Sequence, residues 1–567
     1  MTITALGAAG EVIHNINAGL PTTRSLSSPS ELLNSTKNIY HEEAKSWPCL
    51  INVFRLQAWL DGYQEQSKKE LLTGIKFGFQ VQSSLPFRLG GDYTNHRSAL
   101  QHVTKINEKL SKELLLHRIA GPFDRPPPGL ILSPLAAVPK KDSGDIRLIH
   151  DLSFPKGNSV NDFIPREYCS VSYELIDDCI EHIVNIGKGC LISKADIANA
   201  FRIIPIHPDS YYLLGFTWEG KFYFDKSLAM GCSNSCNTFE KLSTAIQWIM
   251  INKFNVTCMS HILDDFMFFG RPGTQQCAHS LYSFIQFAES IGITLKQEKT
   301  VHPSTSVELH GLLIDTMTMQ VRLPEDKLIK ARESVLKMSK KKNTTLKELQ
   351  SLIGLLSFCC RAIRPGRAFL RRLTDLTMGK SNPGNHIRLN SQARADLACW
   401  TQFLKAFNGV QLMKQEIWTS TNSFKLFSDA SFLACAALFG SKWLRVEFPP
   451  QWSSVHIAPK ELLPISLAFR YWAPLLKDSN IVFLVDNISV VHVINNKTSK
   501  DKIMMALIRQ MMVTALFFNI QFCSRHIPGR HNLIPDLLSR LQDSKARSLA
   551  PWLSKSQVQV PTDWLPW

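Results

Sequence analysis

The order of apolar and polar positions divides this chain into segments of clearly different period. Leu191 to Ala195 reads as a buried strand that ends at Asp196. Further on, Ile262-Leu263-Asp264-Asp265-Phe266-Met267-Phe268-Phe269-Gly270 sets two carboxylates between two short apolar runs, which predicts a strand, a tight turn and a second strand. Ile131 to Val138 and Ile146 to Ile149 read as strands around the charged turn 140–145. Tyr211 to Trp218 and Lys221 to Asp225 read as a hairpin about Glu219-Gly220. Ser235 to Phe254 has helical spacing, with Phe239, Leu242, Ile246 and Ile249 on one face, and another helix over 274–290 stops at Gly292.

Residues 325–375 look helical throughout, with a capping box from Thr345 to Glu348. Past the break at Asn382-Pro383-Gly384-Asn385 the period returns to that of strands, at Phe424–Leu426, Leu433–Phe439 and Trp443–Phe448. A helix over 459–475, the strand Ile481–Val485 and helices over 488–495 and 500–516 follow. Near the start, residues 1–45 are rich in Ser, Thr and Asn and are expected to be poorly ordered, and 46–120 carries helices over 53–62 and 98–117. The run Asp124-Arg125-Pro126-Pro127-Pro128-Gly129 marks a boundary.

Charge changes the picture. The formal net charge is +17, and the block from Arg322 to Lys380 holds 15 Lys and Arg against 5 Asp and Glu. More than half of the excess therefore lies in one helical block, which favours a face for a polyanion, most simply nucleic acid, over diffuse solubility charge. The 13 cysteines form no C-x-x-C pair, so a structural zinc site is not expected and the usage reads as reducing and intracellular, in cytoplasm or nucleus. No signal peptide and no membrane span is legible, and secretion or a membrane partner is not expected.

Two negative charges flanked by apolar runs are costly unless something cationic is held there. A solvated Asp-Asp turn is one reading of Asp264-Asp265. With Asp196 on an adjacent strand, the other is a three-carboxylate site for two Mg²⁺ (or Mn²⁺) ions, one activating a hydroxyl and one holding a triphosphate. Lys140 and Arg147 flank the charged turn as cations for the phosphates, or as solvated hairpin charges.

In order, Lys140…Arg147, Ser193-Lys194-Ala195-Asp196-Ile197-Ala198-Asn199-Ala200-Phe201, Ala229-Met230-Gly231-Cys232-Ser233-Asn234-Ser235, Leu263-Asp264-Asp265, Gly292…Lys299 and Leu309-His310-Gly311 resemble the reverse transcriptase family. The resemblance implies a multidomain α/β and α+β chain with a right-hand polymerase of fingers, palm and thumb. It implies Asp196, Asp264 and Asp265 as metal ligands and Phe201 as a bulky gate against a ribose 2′-hydroxyl, beside its ordinary role in core packing. Met230 and Gly231 would line the nucleotide pocket with Lys140 and Arg147. Lys299 would be the acid for the leaving pyrophosphate, a solvated lysine being the other reading, and His310-Gly311 a primer grip. Many relatives carry Gln where Met230 stands and Pro where Cys236 stands. The basic block falls where the family has its thumb, and Arg361, Arg364, Arg367, Arg371 and Arg372 are expected to put several charges on one helical side.

Four more acids lie downstream: Asp429, Glu461, Asp486 and Asp536, with His526 ten residues before the last. Each alone reads as a helix cap or surface charge. As a set, in this order of strands and helices, they resemble ribonuclease H. That implies a mixed-sheet domain, four ligands for two metal ions, and His526 assisting water or product release. The partition expected is 1–45 poorly ordered, 46–120 helical, 121–320 fingers and palm, 321–380 thumb, 381–422 connection, 423–545 ribonuclease H-like and 546–567 tail. The function implied is RNA-directed DNA synthesis with endonucleolytic removal of the RNA strand. Its partners would be an RNA template, a DNA primer, the RNA–DNA hybrid and deoxynucleoside triphosphates. A decayed or domesticated protein that binds nucleic acid without catalysis is the alternative. The wording at 200–208 and 352–358 resembles DIRS-like retroelements, which implies a separate tyrosine recombinase from the same element.

Overall fold

The computed structural model describes residues 39–567, apart from 48–49, 86–92, 141–143, 407–409, 413–418, 422, 424–425, 478, 519 and 529–532. Its central feature is a four-stranded antiparallel sheet in the order Met259–Ile262, Asp265–Gly270, Leu191–Asp196, Val301–Ser304. Alternate side chains leave a strand on opposite faces. Phe266 and Phe268 accordingly join one core, with the helices Ser235–Lys253 and Gln276–Ser290. Met267 and Phe269 join another, with the helix Ile176–Ile186. Burial on both faces explains why the run after Asp265 is apolar at every position.

The segment before residue 120 completes this unit. The helices Val53–Trp59 and Glu65–Phe77 bury Leu56, Leu71 and Ile75 in the core that holds Phe239, Leu242 and Phe284. Asn52 caps the first of them through Arg55 N–H, and its own amide donates to the Ile291 carbonyl at 2.8 Å. Gly78 has φ +94°, and a Cβ there would meet the backbone of His207 at 2.3 Å, so only glycine lets the chain cross at that point. The expectation of poor order through residue 45 fails at 39–44, which are helical, with Tyr40 buried against Phe224. The expected helix over 98–117 is two helices, Arg97–Leu100 and Val103–Leu115.

Strands Leu135–Pro139 and Ile146–His150 pair around the charged turn, of which 141–143 lie outside the described residues. The expected strand from Tyr211 starts only at Gly215. Pro208 opens a 3-10 helix, Pro208–Leu213, whose first turn is capped by the His207 ring. The expected continuous helix over 325–375 is broken. The helix Glu325–Ser339 ends before a short strand, Asn343–Thr345, paired with His386–Arg388. Thr345 and Glu348 do form the capping box, and a box that starts a new helix at Leu346 necessarily ends the old one. Pro365 sets a second break, and Arg364–Phe369 is 3-10.

In the last third, the antiparallel strands Leu426–Ala430, Ala434–Phe439 and Lys442–Glu447 lie with a parallel trio, Thr419–Ser420, Asn480–Val485 and Gln521–His526. The helix Ile457–Trp472 packs on the antiparallel strands, and the helix Lys502–Phe517 packs on that helix in turn. The strand Gln521–His526 was not legible beside the apolar run that precedes it. Asp396, 1% exposed, ties this region to the helices before it through Arg372 at 3.3 Å and Arg509 at 3.4 Å. Among the described residues no helix is long and apolar enough to cross a membrane.

Candidate functional site

Asp196 is the last residue of its strand and pairs in register with Asp265, the first residue of the next. Asp264 sits in the turn between Ile262 and Asp265, where Leu263 takes φ +51° and the Asp264 carbonyl accepts from Ile197 N–H at 2.9 Å. Three carboxylates are therefore gathered at one end of the sheet. They are crossed by three lysines: Lys194 reaches Asp265 at 3.0 Å, Lys299 reaches Asp196 at 3.0 Å, and Lys296 bonds Asp196 and lies 3.6 Å from Asp264. Asp265 Oδ1 is buried without a hydrogen-bond partner.

The electrostatics follow from this layout. Burial raises the proton affinity of Asp265 to about 6, with Lys194 opposing and Asp196 adding to the rise. Burial and the charge of Asp196 raise Asp264. Asp196 is pushed up by burial but ends below the usual carboxylate range, because Lys296 and Lys299 hydrogen-bond its charged form. Lys299 keeps its proton firmly: burial works against the charge, and Asp196 more than offsets it.

Around this end lie the other residues singled out from sequence. Phe201 is half-buried in the 3-10 helix Ala200–Ile203, its ring 5.7 Å from that of Phe239. Met230 is exposed, and Gly231 has φ +133° with the His150 carbonyl 1.9 Å from where a Cβ would stand. His310-Gly311 is a two-residue turn with φ +48° and +77°, closing the hairpin Ser306–Leu309 and Leu312–Asp315. Burial, then Lys194 and Arg361, lowers the proton affinity of His310.

Lys140 is engaged by Asp145 at 2.6 Å and Arg147 is exposed on its strand, so both stay on their hairpin. The acids' own cations, Lys194 and Lys296, went unnoticed in the sequence. Lys194 had a signal: two residues before Asp196 in a strand, it shares that residue's face. The five arginines do not share one helix: Arg361 follows the helix Leu346–Cys359, Arg364 and Arg367 lie in the 3-10 helix Arg364–Phe369, and Arg371 and Arg372 lie in the helix Arg371–Asp375. Arg371 pairs with Asp375 at 2.9 Å, and Arg372 turns inward to Asp396.

The second set of acids also comes together. Asp429 lies in the strand Leu426–Ala430, Glu461 in the helix Ile457–Trp472, Asp486 just after the strand Asn480–Val485, and Asp536 in the helix Leu533–Ser539. Burial pushes Asp429 up to about 6, with Asp536 and Asp486 adding to it. Burial and then Asp486 push Glu461 up to about 7, and its Oε2 is buried without a partner. Ser539, also unnoticed in the sequence, donates to Asp429 Oδ2 at 3.0 Å. His526 Nε2 donates to the Asp486 carbonyl at 3.1 Å. Arg540 holds Asp536 at 2.7 Å.

Each cluster is oxygen-only, rich in like charge and left with one orphan oxygen, the donor chemistry of a hard divalent cation. Among the described residues no group of three or more His, Cys, Asp or Glu side chains is placed so that it could hold a metal ion as it stands. The raised carboxyls give a testable sign. A carboxyl raised in the folded state contributes stability below its unfolded value near 4, and that contribution is lost as pH rises through about 6 to 7. The melting temperature of the metal-free chain falls across this window, and Mg²⁺ or Mn²⁺ restores more of it at about pH 7.5 than at about pH 5. A metal-induced shift equal at both pH values would remove the clusters as cation sites.

Residues 138–314 match the family described as "Reverse transcriptase (RNA-dependent DNA polymerase)". This segment belongs to the reverse transcriptase family. Similar curated proteins include the Pro-Pol polyprotein of Simian foamy virus type 1, 27% identical over 230 residues, which cover 40% of this chain and 17% of that protein. Protein P of Duck hepatitis B virus (strain China) is 25% identical over 220 residues, covering 38% of this chain and 26% of the relative. The chain thus spans under a third of the length of these relatives. Among solved structures, a foamy viral protease-reverse transcriptase in complex with double-stranded DNA aligns with TM-score 0.47 and 16% identity over 90% of this chain and 84% of that one.

Proposed function

We propose that the chain is an RNA-directed DNA polymerase that also hydrolyses the RNA strand of RNA–DNA hybrids, in the service of retroelement replication. The observation that carries the polymerase reading is the in-register meeting of Asp196 and Asp265 beside Asp264, with Asp265 Oδ1 left orphaned. Two divalent ions held by these acids would supply an activated 3′-hydroxyl and charge for the triphosphate. In this reading Lys299, already charged beside Asp196, donates a proton to the leaving pyrophosphate. His310-Gly311 holds the primer end, and Met230 and Gly231 form a floor for the nucleotide. The second cluster is read as ribonuclease H, with Asp429, Glu461, Asp486 and Asp536 holding the ions and His526 assisting release.

Phe201 bears on sugar choice. Its ring rests on Phe239, so it cannot yield easily to a 2′-hydroxyl. Phe201→Val is expected to admit ribonucleotides at least about tenfold better, the scale of a few methylenes of pocket volume. Unchanged sugar selection would remove it as the gate.

Primer extension on matched RNA and DNA templates with Mg²⁺ tests the whole reading. Synthesis on RNA supports it. Binding of primer–template without synthesis under any divalent metal would leave a protein that only binds nucleic acid. The finer placement among DIRS-like elements rests on residues 200–208 and 352–358. A tyrosine-recombinase reading frame beside this one in the source genome would support it, and an integrase frame in its place would overturn it.

A further inference from the structure

Apolar side chains ring the second cluster of acids. Phe432 and Leu433 follow Asp429, Ile488 follows Asp486 and Leu533 precedes Asp536, and all four are exposed. Single exposed apolar residues are ordinary on a protein surface. Phe432 differs because of what lies under it. Its ring stands over Lys460, with Nζ 5.3 Å from the ring centroid, while Phe432 itself stays 76% exposed. The ring therefore rests one face on a cation and turns most of its surface to solvent.

Lys460 is 0% exposed, and among the described residues its Nζ has no hydrogen-bond partner. A buried charge normally has to be paired. The neighbours of this one are aromatic: the Phe432 ring and the Phe448 ring, both at 5.3 Å. Ring quadrupoles attract a cation most strongly where water is excluded. Phe448 is fixed in turn, stacked on Trp452 with the two rings 9° from parallel. Lys460 directly precedes Glu461, so the cation rides on the same helix, Ile457–Trp472, as one of the four acids.

The backbone under Phe432 is held as firmly. The Ser431 hydroxyl accepts from the Leu433 and Ala434 N–H groups at 3.0 and 3.3 Å, and the Leu433 carbonyl accepts from Phe448 N–H at 2.9 Å. The hairpin tip thus presents a rigid apolar surface at a fixed place beside the acids. The site it borders selects the occupant. Cations held by the four acids would take phosphate oxygens. The phosphates of a nucleic acid are separated by sugars, whose C–H faces are apolar. An A-like RNA–DNA hybrid displays those sugars, with the RNA 2′-hydroxyls, along a wide and shallow minor groove.

We propose that the Phe432-Leu433 tip docks on the sugars of the hybrid beside the phosphate to be cut, and that Lys460 is a positioning residue that holds the Phe432 ring at that place. This rests on reading the second cluster as ribonuclease H. Lys460 need not touch the substrate, and neither side chain takes part in bond making. Both act on how the hybrid is seated, and the acids alone set the demand for metal.

The test is cleavage of an RNA–DNA hybrid by the full chain, with kcat/KM measured across a series of Mg²⁺ concentrations. Phe432→Ala is expected to lose roughly tenfold in kcat/KM, the scale of one aromatic contact with a nucleotide. Its Mg²⁺ requirement and its DNA synthesis stay as in the wild type. Phe432→Tyr keeps the ring and recovers most of the loss. Lys460→Met keeps the length of the side chain and removes the charge. It is expected to lose about threefold while melting at the wild-type temperature or above, because the cost of burying the charge is relieved. Phe432→Ala cleaving like the wild type, or losing activity through a shifted Mg²⁺ requirement, overturns the proposal. So does Lys460→Met that cleaves like the wild type or melts well below it. Should Phe432→Ala fail to fold, para-fluorophenylalanine in place of Phe432 decides. Its fluorine NMR signal shifts when hybrid is added with Ca²⁺ in place of Mg²⁺ to prevent cutting, and an unmoved signal refutes docking. If the wild type leaves the hybrid intact, the ribonuclease H reading falls and this proposal with it. If the wild type cleaves and Phe432→Ala cleaves equally, only this proposal falls.

Discussion

Replacing Asp264 and Asp265 together by Asn is expected to abolish DNA synthesis while leaving the chain folded. The change is isosteric, so neither the turn nor the sheet register at Asp196 needs to move. What it removes is charge. Loss of a group that merely supports a metal ligand costs 10–100-fold, so loss of two direct ligands is put at roughly 10³-fold or more, about 4 kcal/mol of barrier. Stability moves little, because two effects oppose. Both carboxyls are held above their ordinary range by burial and like charge, and Asn relieves that cost. Lys194 in turn loses the partner it now has at 3.0 Å. Primer extension and thermal melting of the same preparation check both halves. Near-normal synthesis by the double variant would sink the polymerase assignment, and collapse of melting would show that the pair is structural.

That the pair is costly to the fold is what made it legible. Apolar strands with acids at their ends break the usual hydrophobic-in, polar-out pattern, and such breaks mark sites. Asp429, Glu461, Asp486 and Asp536 were legible only as a set that resembles ribonuclease H, since each alone reads as a cap or surface charge. The structure brings them close enough that Asp536 and Asp486 add to the raised proton affinity of Asp429, and Asp486 and Asp429 to that of Glu461. Asp264 and Asp265 announce themselves because they stand between apolar runs. Their counter-cations do not. Lys296 reaches Asp196 and Asp264 only because the Asp196 carbonyl accepts from its backbone N–H at 2.8 Å, a long-range pairing with no period to reveal it. Of the helices before residue 80 only the one over 53–62 was legible, and not as part of the core beneath the acids, since an amphipathic face does not name what covers it. The basic block failed for a different reason. Its arginines were counted as if on one helix, and the capping box at Thr345 and the proline at 365 divide that stretch before the count can hold.

The downstream cluster gives the second large effect. Asp429→Asn or Asp486→Asn is expected to end cleavage of RNA in an RNA–DNA hybrid, by roughly 10³-fold on the same reasoning, with DNA synthesis on an RNA template unchanged. The separation is expected because these acids are carried by different strands and helices from Asp196 and its neighbours. A graded variant sharpens the test. Ser539 holds Asp429 Oδ2 at 3.0 Å, and the Ser431 hydroxyl bonds the Ser539 carbonyl at 2.7 Å, which fixes the end of the helix that carries Asp536. Ser539→Ala removes no ligand and only frees one to turn, so it should cost about 10–100-fold, between the wild type and Asp429→Asn, and Ser539→Thr should recover part of it. If cleavage survives Asp429→Asn, the four acids are a structural cluster and the chain copies RNA without removing it. If Ser539→Ala instead equals Asp429→Asn in cleavage and also lowers the melting temperature, the serine serves the fold and not the orientation of a carboxylate.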